Sequence, residues 1–395
     1  MLSVVEAIDR IASLFSVLPA ETVPLRQAAD RILAEDVIAK RDQPPFAASA
    51  MDGYAVIDED ATPGAKFDVI GESAAGSGFT GTVSTGQAVR IFTGAPVPEG
   101  ANRVIIQEDV TRDQDVITLG NTLETSKFIR AAGDDFKIGD RISAPRRLSP
   151  ADLALLASMN IANVPVRRRP VVALLATGDE LVMPGEEPGP DQIIASNNFG
   201  LAALLEQEGA EIRMLPIAKD TSQSLMLALK LSQGADLIIT IGGASVGDHD
   251  IVHSVATDLG LETEFYKIAM RPGKPLMAGT LNGTPMIGLP GNPVSAMVCG
   301  NIFLRPALNK MLGLGGLPLS RELARLGDDL GPNGGREHYM RACLGVEYGQ
   351  LTVHPFERQD SALLSVLSKA NAFLVRPPHD LARKTGEMVE VIRYT

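Results

Sequence analysis

Three loops combine glycines, carboxylates and prolines in patterns that could hold an anionic ligand, and a short cationic run follows them. The first loop is Thr240-Ile241-Gly242-Gly243-Ala244-Ser245-Val246-Gly247-Asp248-His249-Asp250, which follows an apolar strand and opens a helix. Gly242, Gly243 and Gly247, with Ser245 between them, let backbone N–H groups approach an anion closely, and the helix dipole adds partial positive charge. The spacing fits neither a dinucleotide fingerprint nor a Walker loop. Asp248 and Asp250 would repel phosphate alone. They make sense if Mg²⁺ bridges them to it, or if they simply cap the helix.

The second loop, Leu289-Pro290-Gly291-Asn292-Pro293-Val294-Ser295, also joins a strand to a helix. Asn292 has the character of an N-cap and Pro293 that of a first-turn proline, so the stretch is either purely structural or a second wall of the same pocket. The third, Thr177-Gly178-Asp179-Glu180-Leu181, puts two acids after a glycine. Asp179 or Glu180 could hold a metal or a ligand hydroxyl, or cap a turn. Lys267, Arg271 and Lys274 lie within eight residues in an acidic chain. They are candidates for binding an oxyanion or, in the plainer reading, solvated surface. Asp52 and Thr93 read from the residues alone as turn formers. The five histidines lack metal-ligand spacing.

The whole composition narrows the classes. A chain of 395 residues with 45% hydrophobic and 21% charged residues folds throughout, into more than one domain. A net charge of −12 argues against nucleic acid or an acidic membrane as partner. Two cysteines are too few for a disulfide framework or a zinc site, and the apolar setting of Cys299 predicts a buried thiol. The first residues lack the basic start and apolar stretch of a signal peptide, and no segment is long enough to span a membrane, so the expected location is cytoplasmic.

The elements that must position these loops follow from periodicity. Residues 1–45 read as helical, with a second helix over about Leu25–Glu35. Residues 55–142 break into short β runs, and Ser149-Pro150-Ala151-Asp152 restarts helix. From Arg169 strands and helices alternate, ending in a long helix over Pro293–Leu312, which predicts a doubly wound α/β domain with ligands beyond the strands' carboxyl ends. After Gly313 the texture is β again, as a small barrel or sandwich. The expected organisation is a multidomain α/β plus β chain: helical segments 1–45 and 140–170, an inserted β module 46–139, an α/β domain 171–318 and a β domain 319–395.

Taken together, Ser49–Ala55, Arg90–Gly100, Ile129–Gly139, Thr177–Leu181, Gly242–Asp250, Arg271–Pro275 and Leu289–Ser295 resemble the molybdenum insertase family, of the bacterial MoeA type and the E domain of gephyrin. The resemblance runs from about Val23 to the end. It implies an elongated helical domain, an inserted β module, an α/β molybdopterin-binding domain and a C-terminal β-barrel. It further implies a homodimer whose cleft joins the β module of one subunit to the last two domains of the other. Family functional positions match at Asp52, Thr93, Asp135, Glu180, Asp220, Asp250, Lys267, Arg271, Lys274, Pro290, Pro293, Arg341 and Ser361.

On that resemblance the expected reaction inserts molybdate into adenylylated molybdopterin with release of AMP. Gly242–Gly247 and Pro290–Ser295, including Gly291 and Asn292, would hold the pterin phosphate end. Carboxylates drawn from Asp220, Asp248 and Asp250 would hold Mg²⁺. Lys267, Arg271 and Lys274 would recruit molybdate, and a molybdopterin adenylyltransferase and apo-molybdoenzymes would be partners. Two rivals stand beside it: an adenylyltransferase, which resembles residues 171–318 alone, and a gephyrin-like scaffold that binds a peptide through its barrel.

Overall fold

The computed structural model describes residues 1–243 and 251–394. Within it the chain divides into two compact units, Met1–Glu21 with Arg167–Thr395, and Thr22–Val166. Ser245, Gly247, Asp248 and Asp250 lie outside the described residues.

The first unit is built on a six-stranded sheet. Its order is Glu211–Met214, Val171–Ala176, Leu237–Ile241, Thr284–Leu289, Met277–Leu281 and Leu261–Tyr266. The first four strands are parallel and the last two antiparallel. The central strands are apolar along their whole length because helices cover both faces. On one face Val172, Leu174, Ile239 and Ile287 pack against helices Asn197–Gln207 and Pro293–Met311. Ala173, Leu175 and Ile238 pack against Ser222–Leu231 and Ile251–Asp258 on the other. The chain crosses from one side of strand Val171–Ala176 to the other, so this strand and Leu237–Ile241 flank a topological switch point. Thr177 and Gly242 follow directly on those two strands.

The predicted long helix is present over Pro293–Met311, with a π turn at Gly300–Leu304. Pro306 explains the widening: it has no N–H to return to Ile302. Helix Val4–Ser13 does not join residues 22–45, with which its sequence groups it. Its apolar face, Val4, Ala7, Ile8 and Ile11, packs into the α/β core.

After the helices, five strands close into a barrel: Glu337–Glu347, Gln350–Pro355, Glu322–Leu326, Met388–Arg393 and Ala372–Arg376, the last pairing back to the first. A short strand, Met270–Arg271, leaves the α/β part and pairs with this barrel, setting Arg271 opposite His338.

The second unit is β-rich. Its six-stranded sheet runs Arg103–Ile106, Gly53–Val56, Gln87–Ile91, Lys66–Ser73, Val116–Leu119, Val110–Asp113. The expected helix over Leu25–Glu35 is absent. A single 3-10 turn, Leu25–Gln27, is followed by Asp30 at φ 60° and then by strand Ile32–Leu33, paired with Arg146–Arg147. Helical spacing of Leu25, Ala28, Ile32 and Leu33 is real, but a left-handed residue breaks the helix and strand pairing offers the backbone partners instead. Helix Pro150–Ser158 forms where predicted, with a full capping box between Ser149 and Asp152.

Candidate active site

A cavity of about 580 Å³ opens at the switch point of the parallel strands, lined by Thr177, Glu180, Gly242, Gly243 and Pro290–Pro293. All three loops singled out in the sequence therefore converge on one space. Thr177 N–H donates to Ile241 O at 3.0 Å and Gly242 N–H to Leu289 O at 3.2 Å, so each loop is pinned to the strand beside it. Gly243 has φ 65°, and a Cβ there would stand 2.3 Å from Val252 Cγ2. No side chain fits, and the backbone is left bare at the helix-facing end of the strand.

The start of helix Asn197–Gln207 completes the wall. Asn197 lines the cavity and its Nδ2 donates to Gly291 O at 2.7 Å. Sequence reasoning missed this residue, although the polar run Ser196-Asn197-Asn198 before an apolar helix was a signal for it. Asn292 occupies the N-cap position of the helix at Pro293, but its side chain does not cap. Instead Asn292 Nδ2 donates to Ser361 Oγ at 3.1 Å, and Val294 N–H donates to Ser361 O at 3.0 Å. That corrects the capping expectation and brings Ser361, from the barrel segment, onto the pocket's edge. Ser295 is buried in the first turn of the helix.

Two charged groups flank this space. On the acidic side Asp220 N–H donates to Asp179 Oδ1 at 3.3 Å, because Thr177 bridges to Ala218 in parallel fashion. Partial desolvation, then the charges of Asp179 and Glu180, raises the Asp220 carboxyl above its ordinary value. Such oxygen donors suit a hard divalent cation, which would relieve their repulsion. Among the described residues no three His, Cys, Asp or Glu side chains form a closed metal site. Mg²⁺ habitually takes only one or two carboxylates and leaves the rest to water and substrate phosphate.

On the basic side Pro275 and Ala362 line the cavity directly after Lys274 and Ser361. Among the described residues neither Arg271 nor Lys274 has an ion-pair partner, whereas Lys267 Nζ lies 5.2 Å from the Tyr266 ring centroid. Arg341 is fully buried. Its Nη2 donates to Asp360 O at 3.0 Å, while Nε and Nη1 have no partner among the described residues. Burial, with the Arg271 charge beside it, pushes this guanidinium down to about 10. His338 is also buried with Nε2 unpartnered, and burial with the surrounding arginines, Arg271 first, pushes it down to about 3. It is thus neutral and takes no charge from Arg271.

The remaining predicted positions belong to the other unit. Asp52 Oδ1 accepts from Thr93 N–H at 2.7 Å and from Thr93 Oγ1 at 2.8 Å, which lowers its carboxyl. The two turn formers are therefore one device. Asp135 is exposed, in a turn held by its N–H to Gln43 O at 2.9 Å.

Comparison with known proteins matches three family models: "MoeA N-terminal region (domain I and II)" over residues 2–160, "Probable molybdopterin binding domain" over 173–310, and "MoeA C-terminal region (domain IV)" over 323–394. The chain is 37% identical over 376 residues to the molybdopterin molybdenumtransferase of Haemophilus influenzae, covering 94% of this chain and 93% of that protein. It is 36% identical to the protein of the same name from Nostoc sp., covering 94% and 88%. Among solved structures, a molybdopterin biosynthesis moea protein from Pyrococcus horikosii superposes with a TM-score of 0.84 at 30% identity, covering 100% and 99%.

Proposed function

The chain belongs to the molybdopterin molybdenumtransferase family, and from that premise we propose that it inserts molybdate into adenylylated molybdopterin and releases AMP. A transferase role in molybdenum cofactor biosynthesis comes with membership. The adenylylated substrate, the AMP and the need for Mg²⁺ are our reading.

One observation carries it: a cavity edged by two strand-to-helix loops adjoins Lys274, which with Arg271 and Arg341 forms no ion pair among the described residues. The bare backbone of Gly242–Gly243 and the Pro290–Pro293 turn suit a phosphate end, which helix N-termini favour. Arg271 and Lys274, with Arg341 behind them, suit a small oxyanion: charge-assisted N–H···O bonds are strong where water is displaced. When bound, Mg²⁺ would be held by Asp220 with Asp248 and Asp250, and would supply charge neutralisation across a pyrophosphate. Glu180, at the cavity wall, Asp52 and Asp250 are proposed as the groups that would accept a proton from an attacking water. The working form is proposed to be a cytoplasmic homodimer that receives its pterin from a molybdopterin adenylyltransferase and serves apo-molybdoenzymes.

The test is a titration of molybdate at saturating pterin against Arg271→Ala with Lys274→Ala. Losing two charge-assisted bonds of about 1.5–3 kcal/mol each should weaken molybdate use roughly a hundredfold or more, with pterin affinity little changed. Equal molybdate dependence in both proteins would return these cations to solvated surface.

A further inference from the structure

Arg90 sits outside every residue set so far assigned a role, yet the geometry around Asp52 converges on it. Its guanidinium lies near two rings, 5.0 Å from the Tyr54 centroid and 4.9 Å from that of Phe92. From there its two arms reach different acceptors. Nη1 donates to Gly53 O at 3.2 Å, and Nη2 donates to Gln107 Oε1 at 2.7 Å. Gln107 in turn gives its backbone N–H to Asp52 O at 3.1 Å. The carbonyls of Asp52 and of Gly53 are thus both fixed by one network centred on Arg90.

The backbone there has no slack. Gly53 pairs with Ile91 on one side and Ile106 on the other, and a Cβ at Gly53 would stand 1.9 Å from Ile105 O. Asp52 immediately precedes this strand, and Thr93 fixes only its Oδ1. With one carboxylate oxygen held by Thr93 and its peptide held by the Arg90 network, the second oxygen is aimed in one direction. The positive charge of Arg90 also reaches the carboxylate and helps keep it ionised.

We infer that Arg90 is a positioning residue for the reaction: lying against the Tyr54 and Phe92 rings, it fixes the peptide of Asp52 so that the free carboxylate oxygen is presented in a single orientation. The inference rests on the reading that Asp52 is a site residue. Arg90 does not itself touch substrate. A planar fork suits the place because two acceptors, Gly53 O and Gln107 Oε1, are met by separate arms while two rings lie against the cation, which an ammonium cannot reproduce.

The experiment measures turnover of adenylylated molybdopterin with molybdate by the full chain, in Arg90→Gln, Arg90→Lys, Asp52→Asn and the double variant Arg90→Gln with Asp52→Asn. Arg90→Gln should lower kcat by about tenfold or more, the scale of losing hydrogen bonds to a charged group, while KM for the pterin stays within about twofold. Arg90→Lys, which keeps the charge over the rings, should recover only part of the loss and provides the reading if the glutamine variant does not fold. On the Asp52→Asn background the Arg90 change should cost nothing further, because its effect passes through that carboxylate. An equal loss on both backgrounds would overturn the inference, since a merely structural arginine behaves that way. So would wild-type kcat in Arg90→Gln. Full activity in Asp52→Asn would instead remove Asp52 from the site, and the positioning role with it.

Discussion

Single residues differ in how much of their role the sequence discloses. Lys274 and Arg271 are visible as an odd cationic cluster in an acidic chain. Nothing in Arg341 or its neighbours Met340 and Ala342 reveals a fully buried guanidinium with two unpartnered nitrogens, because burial of that kind comes from barrel closure far along the chain. The resemblance alone pointed to it. A buried cation with two nitrogens unpartnered among the described residues is costly, and on the proposed function the oxyanion would repair that deficit. Arg341→Met should accordingly melt no lower than wild type without ligand, yet respond less to molybdate in a thermal shift. A normal molybdate-induced rise in Tm would show that the guanidinium is not part of the oxyanion site. His354 gives a pH prediction. Hydrogen bonding to Asp328, at 2.8 Å, raises its imidazole above the ordinary value, and Glu347 adds to this. A raised pKa stabilises the fold fully below about 6.5 and ceases to do so as pH rises through the folded value. Denaturant melts of wild type and His354→Gln should therefore diverge most near pH 6 and converge at alkaline pH. The difference will be small, since the ring is 41% exposed.

At the scale of elements, the parallel strands were legible because burial on both faces leaves continuous apolar runs such as Val171–Ala176. Helix Pro150–Ser158 was legible through its cap chemistry. Asp152 sits at N3, its carboxylate accepts from Ser149 N–H at 2.9 Å and from Ser149 Oγ at 2.7 Å, and Arg146 pairs with its second oxygen at 2.7 Å. Asp152→Ala should cost roughly 1–3 kcal/mol, as loss of a reciprocal cap and of a buried carboxylate's pairing with a half-exposed arginine, with turnover at low temperature preserved. Chemical denaturation checks this, and a change under about 0.5 kcal/mol would mean the helix is held by packing alone. The missed elements have separate causes. Residues 25–35 carry helical spacing in a segment whose backbone partners, Arg146–Arg147 and Val166, lie more than a hundred residues away. Strand Leu261–Tyr266 is an edge strand with exposed Glu262 and Glu264, so neither alternation nor a continuous apolar run marks it.

For the whole molecule, the sequence offered one pocket shared by loops from strand ends as one of two readings, because ligands of a doubly wound sheet sit beyond its strands' carboxyl ends. It could not show that Ser361, from the barrel segment, meets Asn292 at the edge of that space. That follows from strand Met270–Arg271 pairing with Glu337–Glu347. Asp52, Thr93 and Asp135 belong to a different compact unit, and the proposed homodimer is the assembly in which they would act. Light scattering should report a dimer at micromolar concentration, and an active monomer would remove the shared-cleft part of the proposal. The account as a whole stands on the reaction. Purified chain is mixed with adenylylated molybdopterin, Mg²⁺ and increasing molybdate, and AMP and protein-free molybdenum cofactor are quantified together. Molybdate-dependent release of AMP in proportion to cofactor formed is the predicted result. Consumption of ATP with formation of adenylylated pterin, or AMP release indifferent to molybdate, would contradict it.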